Sequence, residues 1–255
     1  MKKIWITAIE KEQQQVQSLL TTAAQYGLEA KGHFWEDDLK KMAWLAVSDQ
    51  LQERGITLWV IVVDEAALGP GVRYGLSLLT IVVQQKRPEL PILVVDSSGK
   101  MKRDVLPGIF ADIPMVTADS HSLGAKFAAM ANMPAKKQEQ AYRLRLHANP
   151  GFGIWFEVGP GTGEQWQGGL LGLNGGTITA HGVGPAGRLP ERSVLEYPLQ
   201  GMELSCGGER FTAWGVENVL AEEDSYYLKV EGAVSSFIFG ELPQGDAPEL
   251  HLLKI

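Results

Sequence analysis

The amino-acid sequence predicts an α/β domain with a doubly wound, five-stranded parallel sheet, followed by an all-β domain. The first observation is that short apolar runs alternate with helical patterns only before about residue 140. The second is the uneven distribution of glycine, since 9 of the 29 glycines precede residue 141 and 20 follow it. The third is charge, because residues 1–140 hold 16 Lys+Arg against 16 Asp+Glu, whereas residues 141–255 hold 7 against 14. Dense glycine suits the turns of a domain with many short strands.

Apolar periodicity assigns the elements of the first domain, residues 1–133, in order. Four apolar runs and a weaker, more polar one at 28–34 predict its strands: residues 3–9, 28–34, 57–63, 91–95 and 113–116. Apolar residues at helical spacing predict its helices: residues 16–24, 39–51, 72–86 and 123–130. The run at 57–63 is apolar on both faces, which predicts a central strand covered on each side by helices. Alternating strands and helices imply right-handed crossovers in an open sheet.

Residues 142–255 predict an antiparallel β-barrel or β-sandwich, and the sequence leaves both open. Eight β-rich segments follow one another at a spacing near ten residues: 142–147, 152–158, 167–173, 177–183, 194–199, 209–214, 225–230 and 234–239. Asn174-Gly175-Gly176 predicts a hairpin turn, because Asn and Gly accept positive φ. The polar residues 134–141 predict a linker between the two domains.

Composition and charge exclude several classes of protein. The hydrophobic share of 45% and the charged share of 21% describe a folded chain, and the apolar runs are too short to span a membrane. A net charge of −7 argues against binding to nucleic acid. The single cysteine, Cys206, cannot form an internal disulfide, and the five histidines lack the spacing of a zinc site. We expect a cytoplasmic protein with no metal centre and no identifiable cofactor, whose partner is another protein or a small molecule.

Candidate ligand-binding residues follow the predicted strands, because ligands of open α/β sheets bind at the carboxyl ends of the strands. Among the residues that this rule selects, six form the candidate rim: Asp64, Glu65, Asp96, Ser97, Ser98 and Lys100. Acids and hydroxyls there can hold a divalent cation or a phosphorylated ligand, and a lysine can neutralise an oxyanion. Alternatively, Asp64 and Asp96 cap the turns that follow them. No catalytic residue is identified.

The segment LWVIVVDEAALGPGVRYGLSLLTIVVQQKRPELPILVVDSSGKMKRD contains a strand ending in Asp64, a Pro-Gly loop, a Gly-Leu-x-Leu-Leu helix and a strand followed by a hydroxyl. Residues 1–131 thereby resemble the receiver domains of response regulators. The resemblance implies a flavodoxin-like fold, with Asp64 as the phosphoacceptor and Ser97 as the switch hydroxyl. The paired acids of the family are missing after the first strand, where only Glu10 is acidic, and Thr117 stands near the expected lysine. A receiver-like domain that has lost its chemistry is therefore implied.

TIR-like signalling domains are similar in the order and spacing of their strands. Members that cleave NAD use a glutamate on the helix after the third strand, and the corresponding residues here are Val72, Arg73 and Tyr74. This second resemblance therefore implies the fold without the activity. No family is recognised for residues 142–255.

Three functions follow as hypotheses. The leading one is a non-catalytic regulatory or protein-interaction protein with a degenerate signalling-type α/β domain. The first alternative is an enzyme, or a protein that binds a nucleotide or phosphate ligand, with its site at the rim. The second is glycan binding by the β domain, where aromatic rings and acids lie close in sequence: Trp155, Trp166, Trp214, Glu157, Glu164 and Glu217. Against it, large aromatic residues in strands usually belong to the core.

Overall fold

The computed structural model describes residues 1–134, 141–243, 245 and 249–255. The chain divides into two units, Met1–Gln138 and Glu139–Ile255. The predicted linker at 134–141 falls mainly on residues 135–140, which lie outside the described residues. Every helix in the described part of the chain is too short or too polar to cross a bilayer.

The first unit contains one parallel sheet. Its strands are β1 (Lys2–Ala8), β2 (Leu28–Phe34), β3 (Ile56–Val63), β4 (Ile92–Asp96) and β5 (Met115–Thr117). Its helices are α1 (Gln13–Gln25), α2 (Ser48–Gln52), α3 (Pro70–Lys86) and α4 (Leu123–Ala131). All strand pairs are parallel, in the order β2-β1-β3-β4-β5. This is the order of flavodoxin-like sheets, so the predicted fold class is confirmed.

The central strand β3 carries much of the core of this unit. Its residues from Leu58 to Val63 are all buried, as the continuous apolar run predicted. Trp59 is completely buried, and its indole Nε1 donates to the hydroxyl of Thr7 on β1 at 2.8 Å. The hydrogen bond satisfies the one polar atom that this ring would otherwise bury without a partner.

The helix predicted at 39–51 is wrong over its first half. The Asp38 carboxylate accepts a hydrogen bond from the Lys41 amide at 3.0 Å, and Met42 has a left-handed backbone with φ of 52°. These two features interrupt the helix, so only a 3-10 segment at Ala43–Val47 and the short α2 follow. Val47 and Leu51, which the apolar spacing places on the buried face, are buried, and so is Trp44, which that spacing does not include.

The second unit consists of two antiparallel sheets. The four-stranded sheet has the order β6-β7-β12-β9, with β6 (Tyr142–Asn149), β7 (Gly153–Pro160), β12 (Asp224–Glu231) and β9 (Thr177–Pro185). The five-stranded antiparallel sheet has the order β10-β11-β8-β13-β14, with β10 (Leu199–Cys206), β11 (Glu209–Leu220), β8 (Trp166–Asn174), β13 (Ser236–Gly240) and β14 (Leu250–Lys254). The buried rings of Phe156 and Phe237 join the two sheets with their centroids 5.3 Å apart. The unit is therefore a β-sandwich, one of the two architectures that the sequence left open.

The hairpin predicted at Asn174-Gly175-Gly176 is wrong, although both glycines have the expected positive φ, 82° and 67°. β8 pairs with β11 and β13, whereas β9 pairs with β12, so the two strands lie in different sheets. The Asn174 carbonyl accepts from the Ser235 amide at 2.8 Å instead of closing a turn. The left-handed glycines direct the chain from one sheet to the other.

One predicted strand of the second unit does not form, and one observed strand was not predicted. The predicted strand at 194–199 does not form, since Tyr197 has a positive φ of 44° and the strand begins only at Leu199. β14 was not predicted, because its run of five residues is short and follows a polar segment. It completes the five-stranded antiparallel sheet by pairing with β13.

One carboxylate links four strands of that sheet. Glu209 on β11 accepts hydrogen bonds from Asn174 on β8 and Ser236 on β13, and it pairs with Lys254 on β14 at 2.9 Å. These contacts, with the hydrogen bond from Ser236 foremost, hold the pKa of Glu209 at about 2. Its ionised form therefore stabilises the folded sheet.

We expect Glu209→Gln to reduce the acid sensitivity of the protein. The folded pKa lies below the ordinary value of 4.5, so the stabilisation is present above that pH and is lost as the pH falls toward 2. Thermal unfolding at about pH 6 and about pH 3 measures the difference in melting temperature, which should be smaller in the variant. Glu217→Gln, at an exposed position of the same strand, is the control. Equal acid sensitivity of Glu209→Gln and the unchanged protein would contradict the prediction.

Candidate functional site

The predicted rim residues lie at the carboxyl ends of β3 and β4, which are neighbours in the parallel sheet. Asp64 follows β3 directly and is partly exposed. Its Oδ1 accepts from the Ala66 amide at 2.6 Å and caps a short 3-10 turn, Glu65–Ala67. Glu65 belongs to this turn and faces solvent. One carboxylate oxygen of Asp64 is therefore used for local capping.

Asp96 is the last residue of β4 and is only 2% exposed. Its Oδ1 accepts from the Ser98 amide at 2.9 Å, the Ser98 hydroxyl at 2.8 Å and the Gly99 amide at 3.0 Å. Its Oδ2 accepts from the Met101 amide at 2.9 Å. Both oxygens thus hold the loop that follows β4, as the capping alternative requires.

The side chains that meet at the rim are Glu10, Asp64 and Ser97. The Ser97 hydroxyl donates to Glu10 Oε2 at 3.4 Å. Partial burial and then the negative charges of Asp64 and Glu12 raise the pKa of Glu10, while the hydrogen bond from Ser97 lowers it. In the described part of the chain, none of the charged groups that shift this pKa is a cation. Glu10 and Asp64 therefore place two interacting negative charges at the rim.

Lys100 lies in the loop after β4, and Thr117 is the last residue of β5. Lys100 is exposed, and its backbone amide donates to the Ser98 hydroxyl at 3.3 Å. Thr117 at the end of β5 donates to the Asp119 carboxylate at 2.6 Å. Across residues 1–134, 141–243, 245 and 249–255, no group of three or more His, Cys, Asp or Glu side chains can hold a metal ion.

The second unit has a buried carboxylate, Glu157 on β7, with no exposed side-chain surface. Its Oε2 lies 2.7 Å from His147 Nε2, and its Oε1 accepts from the Ser225 hydroxyl at 2.8 Å and the Gly187 amide at 2.9 Å. Arg145 Nη1 lies 3.3 Å from Oε1. Burial raises the pKa of Glu157, but these hydrogen bonds and the charge of Arg145 outweigh burial, so the pKa lies below its ordinary value.

The partners of Glu157 come mostly from the neighbouring strand. Arg143, Arg145 and His147 alternate along β6 and share one face of it, and Arg145 is in register with Glu157. Arg143 Nε lies 3.4 Å from Glu157 Oε1. The alternation of basic residues is visible in the sequence. A search for an acid on the adjacent strand, opposite these basic residues, would have located the cluster. Its complete hydrogen bonding indicates a structural network.

The residues suggested for glycan binding do not form a common platform. Trp166 is only 7% exposed, and Glu157 is occupied by its buried network. Trp155 and Trp214 lie on β7 and β11, which belong to different sheets. The Trp214 ring packs edge-on against His181 with the centroids 4.8 Å apart. Trp155 and Trp214 are only partly buried.

Comparisons with known proteins add two distant likenesses. No family model matches the sequence, and no curated protein matches it. A CheY-like protein from Pseudomonas aeruginosa PAO1 is 12% identical, with a TM-score of 0.33, and the match covers 53% of this chain and 98% of that one. A 3-dehydroquinate dehydratase-like protein from Bifidobacterium longum is 16% identical, with a TM-score of 0.30, covering 51% of this chain and 96% of that one. Neither likeness carries an argument about function.

Proposed function

We propose that the chain is a cytoplasmic, non-catalytic regulatory protein whose first unit is a receiver-like signalling module. In this proposal the unit acts by binding another protein or a small molecule, and not by phosphoryl transfer. The observation that supports it is the composition of the rim, where the negative charges of Glu10 and Asp64 interact. In the described part of the chain, no cation is among the groups that shift the pKa of Glu10. The single free cysteine agrees with a reducing compartment.

The contacts at the rim argue against phosphoryl transfer. Stabilising a transferred phosphoryl group requires cations that offset its charge, supplied by a metal ion, a lysine or an arginine. Thr117, at the position where the receiver resemblance expects lysine, is hydrogen-bonded to Asp119. Asp96 adds a carboxylate instead of a cation, and both of its oxygens accept from the loop after β4. The same acidic rim argues against the nucleotide-binding alternative.

Incubation with acetyl phosphate and magnesium tests the proposal. We expect intact-mass spectrometry to find no phosphoryl adduct on the unchanged protein and none on Asp64→Ala, because the rim does not neutralise the developing charge. A catalytically competent receiver domain treated in parallel is the positive control. An adduct on the unchanged protein that disappears in Asp64→Ala, or magnesium binding by calorimetry that depends on Asp64, would overturn the proposal.

A further inference from the structure

An exposed apolar patch lies on the second unit, where the segment before β10 runs beside the end of β11. It consists of Val194, Tyr197, Leu199 and Val219, which are 80%, 74%, 37% and 52% exposed. In the described part of the second unit, the only other exposed large apolar residue is Phe152, in the turn between β6 and β7. Single exposed apolar residues are ordinary on protein surfaces, whereas a contiguous group of them indicates an interaction site.

Hydrogen bonds hold the segment against β11. The Asn218 side-chain oxygen accepts from the Glu196 amide at 2.8 Å, and Asn218 Nδ2 donates to the Val194 carbonyl at 3.1 Å. The Glu217 amide donates to the Glu196 carbonyl at 2.9 Å, beyond the end of the pairing between β10 and β11. These bonds place the apolar residues of the two segments side by side, so the patch is contiguous.

The backbone at Tyr197 is strained. Its φ of 44° lies in the left-handed region, which bulky residues rarely adopt. Such conformations cost folding free energy and are concentrated at sites that bind or switch. Tyrosine is also among the residue types that contribute most to binding at protein–protein interfaces. The exposed ring of Tyr197 is therefore the expected anchor of a contact.

The charges beside the apolar patch are negative. Glu196 and Glu217 are exposed, and neither forms an ion pair with another described residue. A third acid, Glu241, lies near Val219, because its Oε1 accepts at 2.6 Å from the amide of Gln167, the register partner of Val219. Acids therefore border the patch.

Charge decides which occupant the apolar patch fits. Residues 141–255 hold 7 Lys+Arg against 14 Asp+Glu, and the one basic residue of segment 190–199, Arg192, directly follows the acid Glu191. Nucleic acid and anionic membranes would be repelled. A second copy that met the patch by two-fold symmetry would bring Glu196 and Glu217 of both copies together. A partner with apolar side chains and lysine or arginine would cover the patch and neutralise its acids.

We propose that the apolar patch is a docking surface for a basic, apolar segment of another protein. The Tyr197 ring is its central contact, and Glu196 and Glu217 pair with lysine or arginine of the partner. The surface belongs to the second unit, so this inference goes beyond the function proposed for the first unit and does not depend on it.

A displayed library of random peptides of about 12 residues, selected on the immobilised full chain, tests the surface. We expect the selected peptides to combine lysine or arginine with aromatic or aliphatic residues. Calorimetry then measures the tightest of them as free peptides. Tyr197→Ala should raise the dissociation constant about tenfold or more. The double variant Glu196→Gln/Glu217→Gln should raise it about three- to tenfold and make binding less sensitive to salt.

A second variant at the same position separates binding from folding. Tyr197→Gly removes the ring and relieves the backbone, because glycine adopts a positive φ without strain. It should melt at a temperature no lower than that of Tyr197→Ala and should still lose peptide binding. Phe152→Ala removes an exposed ring outside the patch, and Glu231→Gln removes an exposed acid of β12. Both controls should bind as the unchanged protein does.

Several results would overturn the proposal. The first two are a selection that enriches no peptide and one that enriches peptides without basic residues. The third is peptide binding that neither Tyr197→Ala nor the double glutamate variant weakens. Self-association in sedimentation velocity, or binding to phosphatidylserine vesicles, that Tyr197→Ala abolishes would assign the patch to a second copy or to a membrane instead. Binding of a basic, apolar peptide that both variants weaken supports the proposal.

Discussion

Replacement of Glu157 by alanine should lower the free energy of unfolding of the second unit by about 3–5 kcal/mol, the usual loss when one partner of a buried ion pair is removed. The carboxylate has no exposed surface and accepts from Ser225 and the Gly187 amide while contacting Arg145 and His147. Its removal leaves partly buried arginine charge and two hydrogen-bond donors without an acceptor. Urea denaturation followed by circular dichroism measures the loss.

Two further variants make this measurement specific. Glu231→Ala removes a glutamate whose side chain is 62% exposed and whose nearest cation, Lys229, is 3.9 Å away, so its effect should stay within about 0.5 kcal/mol. Glu157→Gln keeps an oxygen acceptor and should fall between the alanine variant and the unchanged protein. A Glu157→Ala protein no less stable than Glu231→Ala would show that the network contributes no net stability.

Replacement of Asp96 by alanine should destabilise the first unit by about 2–3 kcal/mol, more than the same change at Asp64. Asp96 is buried and accepts four hydrogen bonds, including one from the buried Met101 amide. Asp64 accepts one, from the Ala66 amide, at a partly exposed position, so its loss should amount to about 0.5–2 kcal/mol. Thermal and urea unfolding of the two variants provide the comparison.

The comparison also separates the structural role of Asp96 from a ligand-binding one. Carboxylates that serve ligand binding commonly destabilise the folded state, so replacing one tends to leave the free energy of unfolding unchanged or to raise it. The hydrogen bonds of Asp96 lead to the opposite expectation. An Asp96→Ala protein as stable as the unchanged one would favour a ligand-binding role of Asp96 over a structural one.

The parallel sheet could be predicted because its determinants are local in sequence. Four of its strands are short apolar runs, β2 is more polar, and the run that forms β3, apolar on both faces, identified the centre of the sheet. The exception, at residues 39–51, followed from a turn at Asp38 and a left-handed Met42, which apolar spacing does not report. Periodicity identifies the buried face of a segment more reliably than its backbone conformation.

The pairing of the β-strands could not be predicted in the same way. Asn174-Gly175-Gly176 has the backbone conformation that its residues favour, but the adjoining strands found partners far away in the chain. The rule that ligands bind at the carboxyl ends of the strands located Asp64 and Asp96 at the rim. It did not distinguish an acid that binds a ligand from one that caps a turn. That distinction depends on individual hydrogen bonds to nearby amides.

The position of β8 in its sheet has a consequence for how the second unit acquires its structure. Both neighbours of β8 come later in the chain, β11 at Glu209–Leu220 and β13 at Ser236–Gly240. During synthesis, therefore, the backbone amides and carbonyls of this apolar strand have no partner within the sheet until most of the unit has been made. Non-local pairing of this kind slows folding and leaves strand edges open to other chains. β8 also contains three glycines, Gly168, Gly169 and Gly172, and two polar residues, Gln167 and Asn174. These residues weaken the pairing of the open edge with other chains.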